Sequence, residues 1–320
     1  MSFTQKIKDY ILGSCRMDAV GIAPASAFAA EDENHRPEIV LPGAKSVIVF
    51  LKRIPDGVVQ AAFRAAEDKN YAAQSIYAAY GRELTPTMDL FFMQFNISEY
   101  IERNFGYTAV PVPSGPMHNV TPNNTALPAF VGSKRVNYII HSERAAYAAG
   151  LGEIGWNNML LTPENGPRQG IGIVVTNMEL DYDEPYSGPK LCDPEKCGVC
   201  ARCCPVGAIP AAGGKTETHV VSGRKVTVAN IKNNACAVAS MGLRREFARG
   251  LDVPDMVDNC DPTDAELEKA YHTKRVSDYG LDHYPKHFCN NCLIYCPVGG
   301  WDEKFGKTGL SKFKAEEGAK

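Results

Sequence analysis

No stretch of this chain approaches the roughly 20 consecutive apolar residues that a membrane-spanning helix requires. The opening M-S-F-T-Q-K-I-K-D-Y-I-L carries charges where a secretory signal needs an unbroken apolar core, and no twin-arginine pair precedes an apolar run. Charge of one sign is scarce as well. The 34 basic and 37 acidic residues leave a formal net charge of −3, which argues against a nucleic-acid partner. Internal repeats are missing, apart from two cysteine runs. These absences predict a cytoplasmic protein with no membrane partner. Its 320 residues suffice for one large or two ordinary domains, and nothing in them fixes an oligomeric state.

What is plentiful is cysteine, eleven in all, and every one except Cys15 lies at or beyond Cys192. A reducing compartment disfavours disulfides, so metal ligation is the better reading. The run Leu191–Ile209 reads L-C-D-P-E-K-C-G-V-C-A-R-C-C-P-V-G-A-I, and Cys289-N-N-Cys292-L-I-Y-Cys296-Pro297 repeats its closing C-x2-C-x3-C-P pattern. Two such runs describe the halves of a bacterial ferredoxin-like module holding two [4Fe–4S] clusters, in which the cysteine before proline crosses to the other cube. On that rule Cys192, Cys197, Cys200 and Cys296 surround one cluster. Cys204, Cys289 and Cys292 surround the other, with a fourth ligand needed between the runs. Cys236, in a helix-like stretch, is preferred there over Cys260 in the acidic D-N-C-D-P. Pro194 stands where the first cysteine of the usual spacing belongs, so Cys192 must reach through a longer loop. The rival register uses Cys203 in its place. Zinc is the competing metal, but C-x3-C-P occurring twice is not a zinc pattern.

Upstream, the pattern alternates. Helix-like spacing over 4–16 precedes strands at 18–24 and 44–51, the second apolar enough to be buried on both faces. Helices follow over 58–80 and from Thr85-Pro86 to a stop at Gly106, then an edge strand at 107–113 marked by its prolines. A loop over 114–135, a helix over 142–150 capped by Ser142, and a strand at 171–177 complete an α/β part. The turn-rich 181–190 marks the boundary, giving domains of 1–180 and 181–302 with a loose tail over 303–320. Between the cysteine runs, a hairpin turning at Ser222-Gly223 and a helix over 234–247 are expected. Gly150-x-Gly152-x-x-Gly155 has dinucleotide-fingerprint spacing but follows a helix, which excludes that reading.

The stretch A-A-G-L-G-E-I-G-W-N-N-M-L-L-T-P-E-N-G-P-R (148–168), followed by a strand and then the paired cysteine runs, resembles the epoxyqueuosine reductase and reductive dehalogenase superfamily. The resemblance covers roughly residues 10–300. It implies a nitroreductase-like α/β domain that binds a corrinoid, cobalamin, above the nearer of the two [4Fe–4S] clusters. It further implies an oxidoreductase that takes electrons from a low-potential donor such as ferredoxin or flavodoxin and reduces a small organic substrate. Asn157, Asn158 and Arg168, within the matched stretch, become candidate cofactor contacts.

The chain also departs from the pattern. Where members read G-W-I-G-K-N it has Gly152-Glu153-Ile154-Gly155-Trp156-Asn157, without the lysine. The family's acid falls near Asn137, an amide, which cannot donate that proton. Tyr138 and His141, just ahead of the matched stretch, are the candidates for that role. The tRNA-holding helical extension and the export segment of some relatives have no counterpart in these residues. Two alternatives remain: a cluster protein without corrinoid serving a partner enzyme, and an epoxyqueuosine reductase acting on tRNA.

Overall fold

The computed structural model describes residues 1–113, 130–131, 134–135, 139–249, 254–271 and 288–305. Its centre is a four-stranded sheet in the order Ala19–Pro24, Ser46–Arg53, Gln169–Thr176, Ala109–Val112. Each described pair is antiparallel, so the mixed α/β content arises in an antiparallel, α+β arrangement. Side chains alternate across a strand. Val47, Val49 and Leu51 therefore point into one apolar cluster with Ile173, Val175 and the helix Ser142–Ala148. Ile48 and Phe50 point into another, with Ile7 and Ile11 near the N-terminus and Leu90, Ile97 and Ile101 of the helix Leu90–Phe105. Helices on both faces, rather than parallel pairing, account for the unbroken apolar run at 47–51. Pro111 sits on the outer strand, where a missing N–H costs least.

Three local expectations are corrected. The helix expected to open at Thr85-Pro86 does not begin there. The helix Tyr71–Tyr77 passes into a wide π-type stretch, Ala78–Asp89, which continues into Leu90–Phe105 and carries Pro86 within it. Such widening is a usual way for a helix to absorb an irregular residue. The N-cap of Ser142–Ala148 is His141, because Ser142 is already helical and donates its hydroxyl to Glu143 Oε2 at 3.0 Å. The helix carrying Cys236 spans Asn233–Ser240 and stops before Gly242, whose φ is +60°. Other elements match: the first helix Phe3–Asp9, the stop at Gly106, and a hairpin of Thr216–Val221 and Arg224–Ala229 turning at Ser222-Gly223, both with positive φ.

Residues 181–190 form neither helix nor strand. They are nevertheless pinned: the Asp183 carboxylate accepts from Ile22 N at 2.8 Å and pairs with Lys8 at 2.6 Å. A third apolar cluster spans both sides of that segment. Ile54, Val59, Phe63 and Tyr77 pack with Val199, Leu293, Trp301 and Phe305. Phe63 is its hub, with ring centroids 5.3 Å from Tyr295, 5.7 Å from Trp301 and 5.4 Å from Phe305. The helix Trp301–Phe305 is anchored by a fully buried Phe305.

Candidate metal centre

The first cysteine run folds over a short helix, Val199–Arg202, and the second over Asn291–Ile294. The two lie against each other: Asn291 Nδ2 donates to Cys203 O at 2.9 Å. Two groups of thiols result. Burial pushes Cys192 up, and Cys200 and Cys296 up to about 12, with the neighbouring thiols adding to it. Through these effects every pair among Cys192, Cys197, Cys200 and Cys296 is coupled. In the other group burial raises Cys289 and Cys292, and Cys236 up to about 11. Cys204 and Cys289 bear on Cys236, Cys204 on Cys289, and Cys289, Cys203, Cys236 and Cys200 on Cys292. Cys192, Cys200, Cys204 and Cys292 all flank one apolar cluster of Trp156, Ile209 and Ala229, so the two groups adjoin.

The sulfurs have backbone donors aimed at them. Trp156 N donates to Cys192 Sγ at 3.3 Å and Ala208 N to Cys204 Sγ at 3.2 Å. Ala201, Asn291 and Val298 N–H groups serve Cys200, Cys289 and Cys296. Such N–H···S bonds favour thiolates and are among the features that tune iron–sulfur centres. Among the described residues, no group of three or more His, Cys, Asp or Glu side chains is arranged to hold a single metal ion. A four-iron cube binds each thiolate at a different iron, so its ligands need not converge on one point. The donor set and its amides fit two such cubes.

Cys203 is close to both groups, yet it packs in the Phe63 cluster and its thiol donates to Cys200 O at 3.5 Å. Cys260 lies with carboxylates, its Sγ 3.7 Å from Glu246 Oε1.

Two expected cofactor contacts have other partners. Arg168 is 2% exposed, and its guanidinium donates to the carbonyls of Cys296 at 2.9 Å, Gly299 at 3.3 Å, Leu293 at 3.4 Å, and Val298. It thereby holds the end of the second cysteine run. Gly166 makes this possible: its φ is +56°, and a Cβ there would stand 2.2 Å from Val298 O. Asn157 is also buried and donates to Cys292 O at 3.2 Å. Gly152 packs against the protein's own backbone, a Cβ there meeting Leu161 O at 2.1 Å, so this loop is no phosphate cradle.

Asn158 is different. Its backbone is left-handed at φ +61°, its Nδ2 donates to Glu217 Oε1 at 3.2 Å, and its buried Oδ1 has no hydrogen-bond partner among the described residues. It belongs to a polar cluster that the sequence reading missed. Arg144, paired with the buried Glu31, directs Nη2 at His219 Nε2 at 3.3 Å, and its own buried Nε also has no such partner. His219 Nε2 is 3.3 Å from Glu217 Oε1. His141 Nδ1 is 3.2 Å from Glu143 Oε2. Burial pushes the Glu143 carboxyl up, but its bonds to His141, its own backbone and Ser142 outweigh that and leave it below the ordinary range. The available signal was alternation in T-E-T-H-V-V: Glu217, His219 and Val221 share the inward face of the hairpin strand. Tyr138 lies outside the described residues.

The arrangement defines a class: an antiparallel sheet domain sharing a core with a cysteine-rich part that gathers two thiol groups. No protein-family model matches the chain. Among curated proteins it is similar to an epoxyqueuosine reductase of Gloeobacter violaceus, 26% identical over 155 residues, covering 46% of this chain and 44% of that protein. It is also similar to a tetrachloroethene reductive dehalogenase of Desulfitobacterium hafniense, 43% identical over 66 residues, covering 20% of this chain and 12% of that protein. The matches thus span less than half the length of these relatives. Solved structures that resemble it include an epoxyqueuosine reductase from Streptococcus thermophilus, at 13% identity and TM-score 0.48, covering 94% of this chain and 67% of the other. Another is a catabolic reductive dehalogenase, at 19% identity and TM-score 0.44, covering 89% and 36%. By sequence, parts of the chain are similar to members of the epoxyqueuosine reductase and reductive dehalogenase superfamily. Among the described residues no helix is long and apolar enough to cross a membrane.

Proposed function

We propose that this protein is an oxidoreductase that carries low-potential electrons through two [4Fe–4S] clusters to a corrinoid beside the first, for the reduction of an organic substrate. What supports the reading is the nearness of the thiols of the two runs, with mutual effects among Cys192, Cys197, Cys200 and Cys296 and among Cys204, Cys236, Cys289 and Cys292, the two sets in which the spacing predicts them as ligands. Crossing of Cys204 and Cys296 between the runs brings both clusters into one compact unit, short enough for electrons to pass.

The corrinoid supplies a low-potential metal centre able to break a carbon–heteroatom bond. The chain's part is to hold and orient it and to exclude water. Asn158 Oδ1 and Arg144 Nε, a buried acceptor and a buried donor, suit the carboxamides that fringe a corrinoid. Asn158 lies two residues from Trp156, whose amide donates to Cys192, so this polar cluster is on the side of the first group. Arg168 and Asn157 act at one remove, by fixing the backbone of the second cysteine run.

The test is anaerobic reconstitution. About eight irons per chain and a saturable corrinoid spectrum support the reading; iron without corrinoid binding turns it into an electron carrier for a partner enzyme. A second reading, epoxyqueuosine reduction, is favoured by the match to the Gloeobacter violaceus protein. It restores a nucleic-acid-borne substrate, which net charge had argued against. Rescue of queuosine in a deficient strain would support it, and failure to rescue would remove it.

A further inference from the structure

We propose that His219 is the proton-holding residue of this site: its Nε2 stands 3.3 Å from a fixed donor, Arg144 Nη2, and 3.3 Å from a fixed acceptor, Glu217 Oε1. The inference rests on the proposed reductive function and names its proton source.

With His219 neutral, Nε2 accepts from Arg144 and the ring proton is on Nδ1. With His219 charged, Nε2–H donates to Glu217. The ring takes up and releases its proton without turning, because both neighbours are themselves held. Arg144 is paired with the buried Glu31, and Glu217 accepts from Asn158 Nδ2 at 3.2 Å. The remaining charged groups on this side are His141 and Glu143, paired at 3.2 Å on the helix that carries Arg144. Burial and Arg144 lower the proton affinity of His219, Glu217 restores part of it, and His141 opposes. The balance makes a proton that is bound but readily given up.

The chemistry requires such a group. Reductive cleavage of a carbon–heteroatom bond, R–X + 2e⁻ + H⁺ → R–H + X⁻, takes its two electrons from an external low-potential one-electron donor by way of the clusters. Electrons arrive without protons. In this scheme the His219 imidazolium provides the proton, becomes neutral, and is reprotonated from water. Asn137 has no acid to offer, whereas His219 shares the Glu217 carboxylate with Asn158, whose buried Oδ1 has no hydrogen-bond partner among the described residues.

Two measurements on the full, anaerobically reconstituted chain decide it. The first needs no turnover: histidine ring resonances are followed against pH, with His219 assigned through H219Q. The His219 midpoint is expected below the ordinary imidazole value, to fall further in E217Q, and to rise in H141Q. A midpoint that neither substitution moves overturns the proposal. The second uses tetrachloroethene as probe and titanium(III) citrate as reductant. H219Q is expected to lower kcat more than tenfold with KM little changed and to abolish the pH dependence, while E217Q shifts the pH profile in the direction of the resonance midpoint. An unaltered profile in H219Q overturns the proposal. If the unsubstituted protein reduces neither this probe nor an epoxide, the proposed function falls, and the ring titration still decides whether His219 holds the proton.

Discussion

Replacing Arg168 with Met separates two roles that the sequence could not distinguish. The guanidinium donates to four carbonyls at the end of the second cysteine run, two at good distance and two at 3.3–3.4 Å, and lies over the Phe305 ring at 5.7 Å. Hydrogen bonds from a charged donor contribute about 1.5–3 kcal/mol each, and the longer pair less. Against that stands the cost of burying the charge, visible in the lowering of the Arg168 pKa by desolvation. A loss of about 3–5 kcal/mol in unfolding free energy is expected for R168M, chiefly from the carbonyls left without donors. R168K, with a single ammonium in place of the fork, should fall between. Because Cys296 is in the same loop, R168M should also lose iron from the first group while the spectrum of the second survives. Urea unfolding and iron analysis of the reconstituted protein read both effects. If R168M is as stable as the parent, holds all its iron and fails only to bind corrinoid, the clamp is wrong and the direct cofactor contact is right.

Phe63→Ala should destabilise by about 3–5 kcal/mol in urea unfolding, since it removes the ring at the centre of the Tyr295–Trp301–Phe305 cluster; a loss below 1 kcal/mol would mean that the two parts do not share a core. Cys236→Ala should lose the spectrum of one cluster, whereas Cys203→Ala should keep both and lose only about 1 kcal/mol of packing. Iron loss in Cys203→Ala with a silent Cys192→Ala would establish the rival register. Stability should fall as pH drops below the ordinary histidine value. His219 binds its proton more weakly folded than unfolded, so the unfolded chain takes up that proton first and the stabilisation, complete above the unfolded pKa, is lost on acidification. A flat urea midpoint in the parent across that range, matched by H219Q, would refute this.

How much of this was legible depended on whether the signal was local. The strand at 46–53 could be read because burial on both faces leaves Ser46 as the one polar residue in its first six positions, but its pairing direction could not, since helices cover either kind of sheet. The cysteine spacing predicts a grouping of thiols, because three ligands on a tight loop are a local matter and the proline marks the expected crossover. Roles set by distant partners were not legible. Arg168 looked like a cofactor contact because an arginine in a matched motif reads the same whether its five donors meet a ligand or the carbonyls of residues 293–299. Conversely, Glu217 and His219 sat in a hairpin between cysteine runs, where alternation puts them on one face but says nothing of their partners. They acquire meaning when the strand lies against the helix carrying Arg144, 75 residues earlier. The matched segment is thus divided by its environment: Asn157 and Arg168 turn inward to brace the second cysteine run, while Asn158, in left-handed backbone between them, turns to the polar cluster. A segment shared with these relatives is then partly scaffold, and under the proposed function the residues that decide the substrate are to be sought around Asn158, Arg144 and His219.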